Sequence, residues 1–248
     1  MSALIEVRDL NCGYGARTIL KDINFDIQRG EVVAVLGGSG CGKSTLLKHL
    51  IGLYPPQSGS ILIAGNELVG SMGEARSDIL RHFGVMFQSG ALFGSMSILD
   101  NVALPLESFS QLDAIAIDAL ARLKLRLVGL EEFADFAPAE LSGGMQKRAA
   151  IARAMALDPE ILFLDEPSAG LDPITSAELD ELIRRIAETQ QVTFVIVTHE
   201  LASINAIADR AIMLDKSVQS IIAIDTPAAL AASTDTRVSG FFNRGKPR

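Results

Sequence analysis

Residues 37–44 read Gly37-Gly38-Ser39-Gly40-Cys41-Gly42-Lys43-Ser44, which matches the pattern G-x-x-x-x-G-K-[ST]. Glycines in this order let main-chain N–H groups turn inward around a chain of phosphates, and the N-terminus of a following helix favours negative charge. Lys43 can then reach the β- and γ-phosphates, and the Ser44 hydroxyl can bind Mg²⁺. The stretch predicts a nucleoside triphosphate site formed by Gly37, Gly38, Ser39, Gly40, Cys41, Gly42, Lys43, Ser44 and Thr45.

The residues on both sides of this loop support that interpretation. Val32–Leu36 is an apolar run of strand length, typical of a strand buried on both faces. A helix is predicted from near Lys43, and Tyr54-Pro55-Pro56 ends it. Two further apolar runs, Ile161–Leu164 and Val192–Thr198, predict more buried strands, and alternating strands and helices indicate a parallel sheet.

Two other parts of the chain have a different character. Residues 1–30 indicate strands, and Ile23, Phe25 and Ile27 alternate with polar residues. Residues of about 88–158 predict a helical insert in the α/β domain. One of its helices has its predicted inner face formed by Leu112, Ile115, Ala116, Ala119, Leu120 and Leu123. We expect one domain over residues 1–232 and a tail over residues 233–248.

Carboxylates and a histidine follow the predicted strands, at the sheet edge where open parallel sheets bind ligands. Asp165 is predicted to hold Mg²⁺, and Glu166 to activate the attacking water. His199 either contacts the γ-phosphate or is an ordinary exposed histidine. Gln88 either binds Mg²⁺ or the attacking water, or is an ordinary surface glutamine.

Two further motifs allow two interpretations each. Tyr14 can stack on a nucleotide base or can be a simple turn residue. Ser142, a predicted helix N-cap, precedes Gly143 and Gly144, so the helix start forms a second anion site. It either serves the nucleotide of another subunit or is glycine-rich because the helix packs closely.

Composition excludes several classes of protein. The 248 residues carry a net charge of −8 with a pI near 4.9, which disfavours nucleic acid as the main partner. Two cysteines cannot build a disulfide framework or a Cys-rich zinc site. No apolar run is long enough to span a membrane as a helix, and the first residues do not resemble a secretory signal. We expect a cytosolic protein, or one attached to something else from the cytosolic side.

Two expectations concern reactivity and assembly. The position of Cys41 at a helix start predicts a thiol of lowered pKa in the active site. In the tail, Phe241 and Phe242 lie among Arg237, Arg244, Lys246 and Arg248. This pattern indicates either a frayed terminus or an anchor that docks on a neighbouring subunit or a membrane surface.

Taken in order, these motifs resemble those of the ATP-binding cassette family over nearly the whole chain. They are Tyr14, the phosphate loop at residues 37–45, Gln88, the signature at residues 141–145, Ile161–Glu166, the loop at residues 168–172 and His199. The resemblance implies a P-loop NTPase (RecA-like) parallel-sheet core with an N-terminal antiparallel β subdomain and an inserted helical subdomain. It also implies ATP and Mg²⁺, two ATPase subunits facing head to tail, and Ser142 and Gly144 of one on the ATP of the other. It favours catalytic roles for Lys43, Gln88, Glu166 and His199. The implied Mg²⁺ ligands are Ser44, Gln88 and Asp165. Met145 stands where the family's signature most often has Gln.

A finer resemblance links residues 83–106, 141–154 and 237–244 to the ATPases of MCE-type lipid transporters, including systems that maintain lipid asymmetry. It implies a peripheral protein on the cytoplasmic face of the inner membrane that energises phospholipid transport. Its implied partners are membrane permease subunits, a periplasmic MCE-type lipid-binding protein and a small cytosolic regulatory subunit, with C-terminal segments binding the neighbouring ATPase. Two alternatives are the ATPase of a solute importer, for example for amino acids, and a soluble cassette ATPase acting on DNA or ribosomes.

Overall fold

Hydrogen bonds between strands build two sheets in a computed structural model of the chain, which describes residues 3–243. The antiparallel sheet has the order β2-β1-β4-β5, and the second, mostly parallel sheet has the order β10-β9-β3-β8-β7-β6. The strands are β1 (Ile5–Tyr14), β2 (Arg17–Ile27), β3 (Val32–Gly37), β4 (Ser58–Ile63), β5 (Asn66–Glu67), β6 (Phe83–Met86), β7 (Ile161–Asp165), β8 (Thr193–Val197), β9 (Arg210–Asp215) and β10 (Ser220–Asp225).

The helices lie around these sheets. They are α1 (Lys43–Leu50), α2 (Gly73–Arg81), α3 (Ile98–Phe109), α4 (Ala114–Leu127), α5 (Gly143–Ala154), α6 (Pro173–Gln190), α7 (Leu201–Ile207), α8 (Pro227–Ala231) and α9 (Thr236–Phe242). Short 3₁₀ turns occur at Glu131–Phe133 and Pro138–Glu140. No helix within residues 3–243 has both the length and the apolar character needed to cross a membrane.

The strand β3 lies inside the parallel sheet, between β8 and β9, and every one of its residues is buried. Its side chains alternate between the two faces. Val33 and Val35 join a cluster shared with α1 and the antiparallel sheet, while Val32 packs with α5 and α6 on the other face. Because both faces of β3 are covered, the strand holds the loop that follows it in a fixed place.

The predicted N-cap at Ser142 is confirmed, and a second cap occurs at Asp172, before α6. Ser142 accepts a hydrogen bond from the N–H of Met145, and Asp172 accepts from the N–H groups of Ile174 and Thr175. These bonds satisfy N–H groups that the first turn of a helix leaves without partners. The α/β architecture with an antiparallel sheet and inserted helices agrees with the predicted fold class.

The predicted inner face of the helix α4 is wrong. Its buried apolar side chains are Ile117, Ala121 and Leu125, whereas Ile115 is 82 % exposed and Leu123 is 44 % exposed. Both sets of residues have helical spacing, so periodicity alone could not decide which stripe faces the core. Packing against α3 and α5 decides it.

The tail also differs from expectation. The helix α9 places Phe241 and Phe242 in a cluster with Leu36, Met213 and Leu230 of the same chain, and both rings are less than 10 % exposed. The aromatic pair is therefore part of the chain's own core and not a free anchor or a frayed end. Arg244, Lys246 and Arg248 lie outside the described residues. A contact between residues 233–248 and another subunit stays a prediction.

Candidate active site

The phosphate loop connects β3 to α1, and its glycines are required by its shape. Gly37, Gly40 and Gly42 have φ values of 147°, 72° and 109°, which residues with a side chain adopt at a cost. A Cβ atom at Gly37 would lie 2.4 Å from the carbonyl oxygen of Leu214, and one at Gly42 would lie 2.8 Å from Leu20. The loop therefore passes closer to its neighbours than any other residue type permits.

The same loop presents main-chain donors to the outside. Residues 38–40 are exposed, and the N-cap position of α1 is Gly42, which has no side chain to cap the helix. The first N–H groups of α1 thus remain available to an anion, which the helix dipole also favours. Lys43 Nζ donates to the carbonyl oxygen of Gly37 at 3.0 Å, so its charge lies across the loop.

The order of the parallel strands brings the other predicted groups to this loop. The neighbours β3, β8, β7 and β6 run parallel, so their carboxyl ends meet at one edge of the sheet. That edge carries His199 after β8, Asp165 at the end of β7 and Gln88 after β6. Residues separated by more than 100 positions in sequence become neighbours in this way.

Glu166 and His199 form a hydrogen-bonded pair at this edge. His199 Nδ1 and Glu166 Oε1 are 2.8 Å apart, and the glutamate side chain is 13 % exposed against 63 % for the histidine. Glu166 has a φ of 48°, an uncommon value for a residue with a side chain. Its N–H donates to the carbonyl oxygen of Val197 at 2.8 Å, which ties the end of β7 to the end of β8. Strained backbone of this kind often occurs at functional sites.

Asp165 and Glu166 each have one buried carboxylate oxygen that could bind a ligand. Asp165 Oδ1 and Glu166 Oε2 have no hydrogen-bond partner among residues 3–243. Burial raises the pKa of Asp165, and so does the charge of Glu166, while Lys48 and Lys43 lower it. A positively charged ligand would offset both the cost of burying the ionised Asp165 and its repulsion by Glu166. The described residues contain no group of three or more His, Cys, Asp or Glu side chains that could hold a metal. A cation here would thus take further ligands from hydroxyls and from bound phosphate.

A cavity of about 740 Å³ joins these groups. Most of the predicted site residues line it: Gly37, Gly38, Ser39, Gly40, Gly42, Lys43, Ser44, Thr45, Gln88, Glu166 and His199. Its volume lies in the range of small-molecule sites. Three lining residues escaped the sequence analysis, namely Ile19, Leu201 and Phe241. Leu201 could have been predicted, because it follows the site residue His199 by two positions. Phe241 could not, because it reaches the cavity only through the packing of α9 on the core.

Tyr14 lies apart from the lining of this cavity. It ends β1, is 41 % exposed, and packs edge-on against Tyr54 with ring centroids 5.2 Å apart. His49 of α1 is also near, with its ring centroid 6.2 Å from that of Tyr14. The structure thus gives Tyr14 a packing role, and base stacking stays a prediction.

The signature residues Ser142, Gly143 and Gly144 also stand apart from the cavity, at the start of α5. A Cβ atom at Gly144 would lie 2.4 Å from Thr175 Cγ2 of α6, so close packing requires this glycine. At Gly143 the nearest atom would be 3.6 Å away, which is ordinary contact. Packing therefore explains one glycine of the pair and leaves the other unexplained.

The expectation of a lowered thiol pKa at Cys41 is wrong, whereas a role of its main-chain N–H in the phosphate loop stays a prediction. Its side chain is 2 % exposed, packs with the core beside α1, and is absent from the cavity lining. Burial raises the pKa of the Cys41 thiol, and the nearby charge of Lys43 offsets this only in part. The helix dipole does not overcome the cost of ionising a thiol in an apolar environment. The cysteine is free of a disulfide, as predicted.

Lys147 is a contact that the sequence analysis missed. It lies on α5, is 8 % exposed, and donates from Nζ to the main-chain oxygen of Gln88. Burial lowers the pKa of Lys147, while Asp165 and Glu166 raise it. One buried ammonium thus connects the helix that follows Ser142 with the Gln88 loop.

Comparison with known proteins gives one family and several full-length relatives. Residues 20–169 match the profile of a family described as ABC transporter. The chain is 39 % identical over 239 residues to the intermembrane phospholipid transport system ATP-binding protein MlaF of Haemophilus influenzae. This alignment covers 96 % of the chain and 90 % of MlaF. It is 41 % identical over 243 residues to the probable ribonucleotide transport ATP-binding protein mkl of Mycobacterium leprae, which covers 98 % of the chain and 70 % of mkl.

A solved structure shows the same fold. The ATP-binding cassette MJ0796, a dimer in a post-hydrolysis state bound to ADP and Pi, superimposes with a TM-score of 0.80 at 29 % identity. The match covers 90 % of the chain and 98 % of that structure.

Proposed function

The chain belongs to the ABC transporter family of ATPases, and from that premise we propose that it energises phospholipid transport between the membranes of a bacterial envelope. One observation carries the lipid assignment: the similarity to MlaF extends over 96 % of the chain and 90 % of MlaF. It thus includes the helical insert and the C-terminal region as well as the phosphate loop. We place the protein on the cytoplasmic face of the inner membrane, as a peripheral subunit.

The proposed reaction is hydrolysis of ATP at the cavity beside the phosphate loop. The N–H groups of residues 38–44 and the ammonium of Lys43 hold the β- and γ-phosphates. Ser44 and Asp165 are the proposed ligands of Mg²⁺, with Gln88 beside them. Mg²⁺ held by these residues would supply positive charge against the charge that develops on the phosphates. The two unpartnered oxygens of Asp165 and Glu166 support a cation at this place.

Glu166 is the proposed general base. Its carboxylate accepts a proton from the attacking water, and the hydrogen bond from His199 keeps it oriented. His199 is 63 % exposed on the cavity side, so its other ring nitrogen can reach the γ-phosphate. Glu166 lines the cavity although its left-handed backbone is unfavourable for a residue with a side chain. Strain of this kind is common in catalytic residues, which supports the proposed role.

The proposed active form is a head-to-tail dimer. Ser142, Gly143 and Gly144 lie outside the chain's own cavity, and Ser142 and Gly143 are exposed. In the proposed dimer Ser142 and Gly144 reach the ATP of the second subunit. The dimeric state of the similar cassette MJ0796 supports this arrangement.

A groove supports contact with a membrane permease. It has a volume of about 270 Å³ and lies between β6, α3 and the end of α5, with Phe83, Pro105 and Leu157 in its lining. Phe109 at its rim is 60 % exposed. Such an exposed apolar surface is typical of a docking site. Because the groove adjoins the Gln88 loop, a permease segment in it would sense the nucleotide site. We further propose an MCE-type periplasmic lipid-binding protein and a small cytosolic regulatory subunit as partners.

A second candidate function is import of a solute. The relative mkl is named as a probable ribonucleotide transporter subunit and is 41 % identical over 98 % of the chain. The nucleotide site does not distinguish the two functions, since substrate would be bound by other chains.

The deciding experiment isolates the tagged protein from membranes and identifies the proteins and lipids that accompany it. The complex is then reconstituted in vesicles with labelled phospholipid or with a labelled ribonucleotide. We expect a permease and an MCE-type protein, and ATP-dependent movement of phospholipid. Transport of the ribonucleotide, with no movement of lipid, would refute the proposed substrate.

A further inference from the structure

A small cavity lies directly behind the loops that carry the Glu166–His199 pair. Its lining includes Ser168, which follows Glu166 by two residues, and Thr198, which immediately precedes His199. It is separate from the nucleotide cavity, and except for Ala208 its lining residues are buried. Whatever the small cavity contains therefore touches both catalytic loops from the core side.

Four polar side chains line this cavity: Thr198 accepts a hydrogen bond from the N–H of Glu200, and the other three come from three different elements. Ser168 lies in the loop after β7, Asp180 on α6, and Ser203 on α7. They are 1 %, 6 % and 4 % exposed. Among the described residues, Ser168 Oγ, Asp180 Oδ1 and Ser203 Oγ have no hydrogen-bond partner at normal distance and angle, although Ser203 lies close enough to Asp180 to lower its pKa. Buried polar groups are nearly always hydrogen-bonded, so three such atoms around one cavity indicate a shared partner.

The size of the cavity identifies that partner. About 10 Å³ is open to the centre of a water molecule, which is roughly the room that one buried water needs. A buried water makes about three hydrogen bonds, the number of free atoms here. The two hydroxyls and one carboxylate supply both donors and acceptors, as a water requires.

The charges around Asp180 agree with this environment. Burial raises the pKa of Asp180, the neighbouring Ser203 hydroxyl lowers it, and the charge of Glu200 raises it. On its other side Asp180 adjoins an open groove between α6 and α7, where Glu181 and Arg184 lie. A buried carboxyl whose burial is only partly offset gains from a further hydrogen bond to water.

We propose that Asp180 is a positioning residue for ATP hydrolysis, which acts through one water molecule shared with Ser168 and Ser203 to fix the catalytic loops. The water joins the loop after Glu166 to the helix that follows His199. The inference rests on the ATPase activity of the proposed function and not on the transported substrate.

The geometry explains how a remote carboxyl affects the reaction. The helix α7 begins two residues after His199, so a shift of α7 moves the imidazole. The loop at Ser168 likewise follows Glu166, whose Oε1 lies 2.8 Å from His199 Nδ1. Without the water, the loops remain joined by the bonds of Glu166 to Val197 and His199 but lose their support from the core side, and a displacement near 1 Å is enough to slow catalysis.

The test compares Asp180→Leu, Asp180→Asn and the matched control Glu181→Gln, which removes an exposed carboxylate one residue away. Measurements are kcat and KM for ATP in the full chain assembled with its partners, together with the melting temperature. For Asp180→Leu we expect kcat to fall about tenfold, because the loss of one hydrogen bond loosens the loops that carry Glu166 and His199, with KM nearly unchanged. Asp180→Asn keeps a hydrogen-bonding side chain and is expected to retain most of the activity. Glu181→Gln is expected to match the unaltered protein.

Two further arms keep the inference testable if Asp180→Leu does not fold. Ser203→Ala removes one arm of the proposed bridge with little change of volume, and it too should lower kcat with KM preserved. A high-resolution crystal structure of the unaltered protein should contain a water within hydrogen-bond distance of Ser168 Oγ, Asp180 Oδ1 and Ser203 Oγ. Normal kcat in folded Asp180→Leu and Ser203→Ala, or the absence of that water, would overturn the inference. Absence of ATP turnover in the unaltered protein would instead refute the proposed function. The crystal structure would then still decide whether the water that joins Ser168, Asp180 and Ser203 exists.

Discussion

Replacing Glu166 by glutamine is the most direct test of the catalytic assignment. The side chains have nearly the same shape, and the amide can still pair with His199 Nδ1, which lies 2.8 Å from Glu166 Oε1. The left-handed backbone at this position and the hydrogen bond from its N–H to Val197 do not involve the side chain. The geometry of the site is therefore expected to remain.

The change removes the charge that accepts the proton. Loss of a general base typically costs about 10²–10⁴ in rate, which corresponds to about 3–5 kcal/mol in the activation free energy. Folding should not suffer, because Glu166 Oε2 is buried without a partner and the charge of Glu166 raises the pKa of Asp165. Removing that charge relieves the repulsion between the two carboxylates.

The assay has three readouts for Glu166→Gln, with Glu178→Gln as the control for an exposed carboxylate. Single-turnover ATP hydrolysis should be slower by about 10²–10⁴, ATP affinity should be unchanged, and ATP should trap a dimer detectable by size. The melting temperature should be equal or higher. Hydrolysis within a few-fold of the unaltered protein would remove Glu166 from the mechanism, and a loss of ATP affinity would mean that its role lies in binding.

Three other predictions follow from packing. Cys41 should resist alkylation at neutral pH in the folded protein and react only at higher pH or after unfolding, since burial raises its pKa, as mass spectrometry of folded and unfolded samples can show. Gly144→Ala should lower stability by about 1–3 kcal/mol through overpacking, whereas Gly143→Ala should fold normally, and equal melting temperatures for the two would contradict the packing at α5. Phe241→Ala should cost about 3–5 kcal/mol, and a chain ended after Asp235 should also melt at a lower temperature; an unchanged melting temperature would show that the aromatic pair does not contribute to the chain's own core.

The phosphate loop is the part of the site that a short segment of sequence specifies. Its glycines, the apolar run before it and the helix after it are neighbours in sequence, so residues 32–50 alone specify a phosphate-binding turn. The caps at Ser142 and Asp172 are local in the same sense, because a side chain bonds an N–H group two or three residues away. The strand, the helix and the Ser142 cap predicted from these segments were confirmed, because every interacting group lies within one short segment.

Other features depend on contacts that no short segment contains. The helix α4 has two apolar stripes, and only packing against α3 and α5 decided that Ile117 and not Ile115 is buried. Cys41 has a helix start that lowers a thiol pKa and a buried environment that raises it, and burial is the stronger effect. Phe241 seemed from the sequence to belong to a free tail, yet its helix folds back to line the nucleotide cavity.

The sequence by itself determined the chemistry: the phosphate loop, the carboxylates at the end of a strand, and the family to which they belong. The tertiary structure alone decided which of these groups meet, because the strand order β3-β8-β7-β6 brings Lys43, His199, Glu166 and Gln88 to one edge. It alone revealed the cavity behind them, whose polar atoms come from three elements. The physical reason is the distance along the sequence over which each interaction acts. Turns and helix caps depend on bonds between residues a few positions apart, whereas burial and strand order depend on contacts throughout the chain.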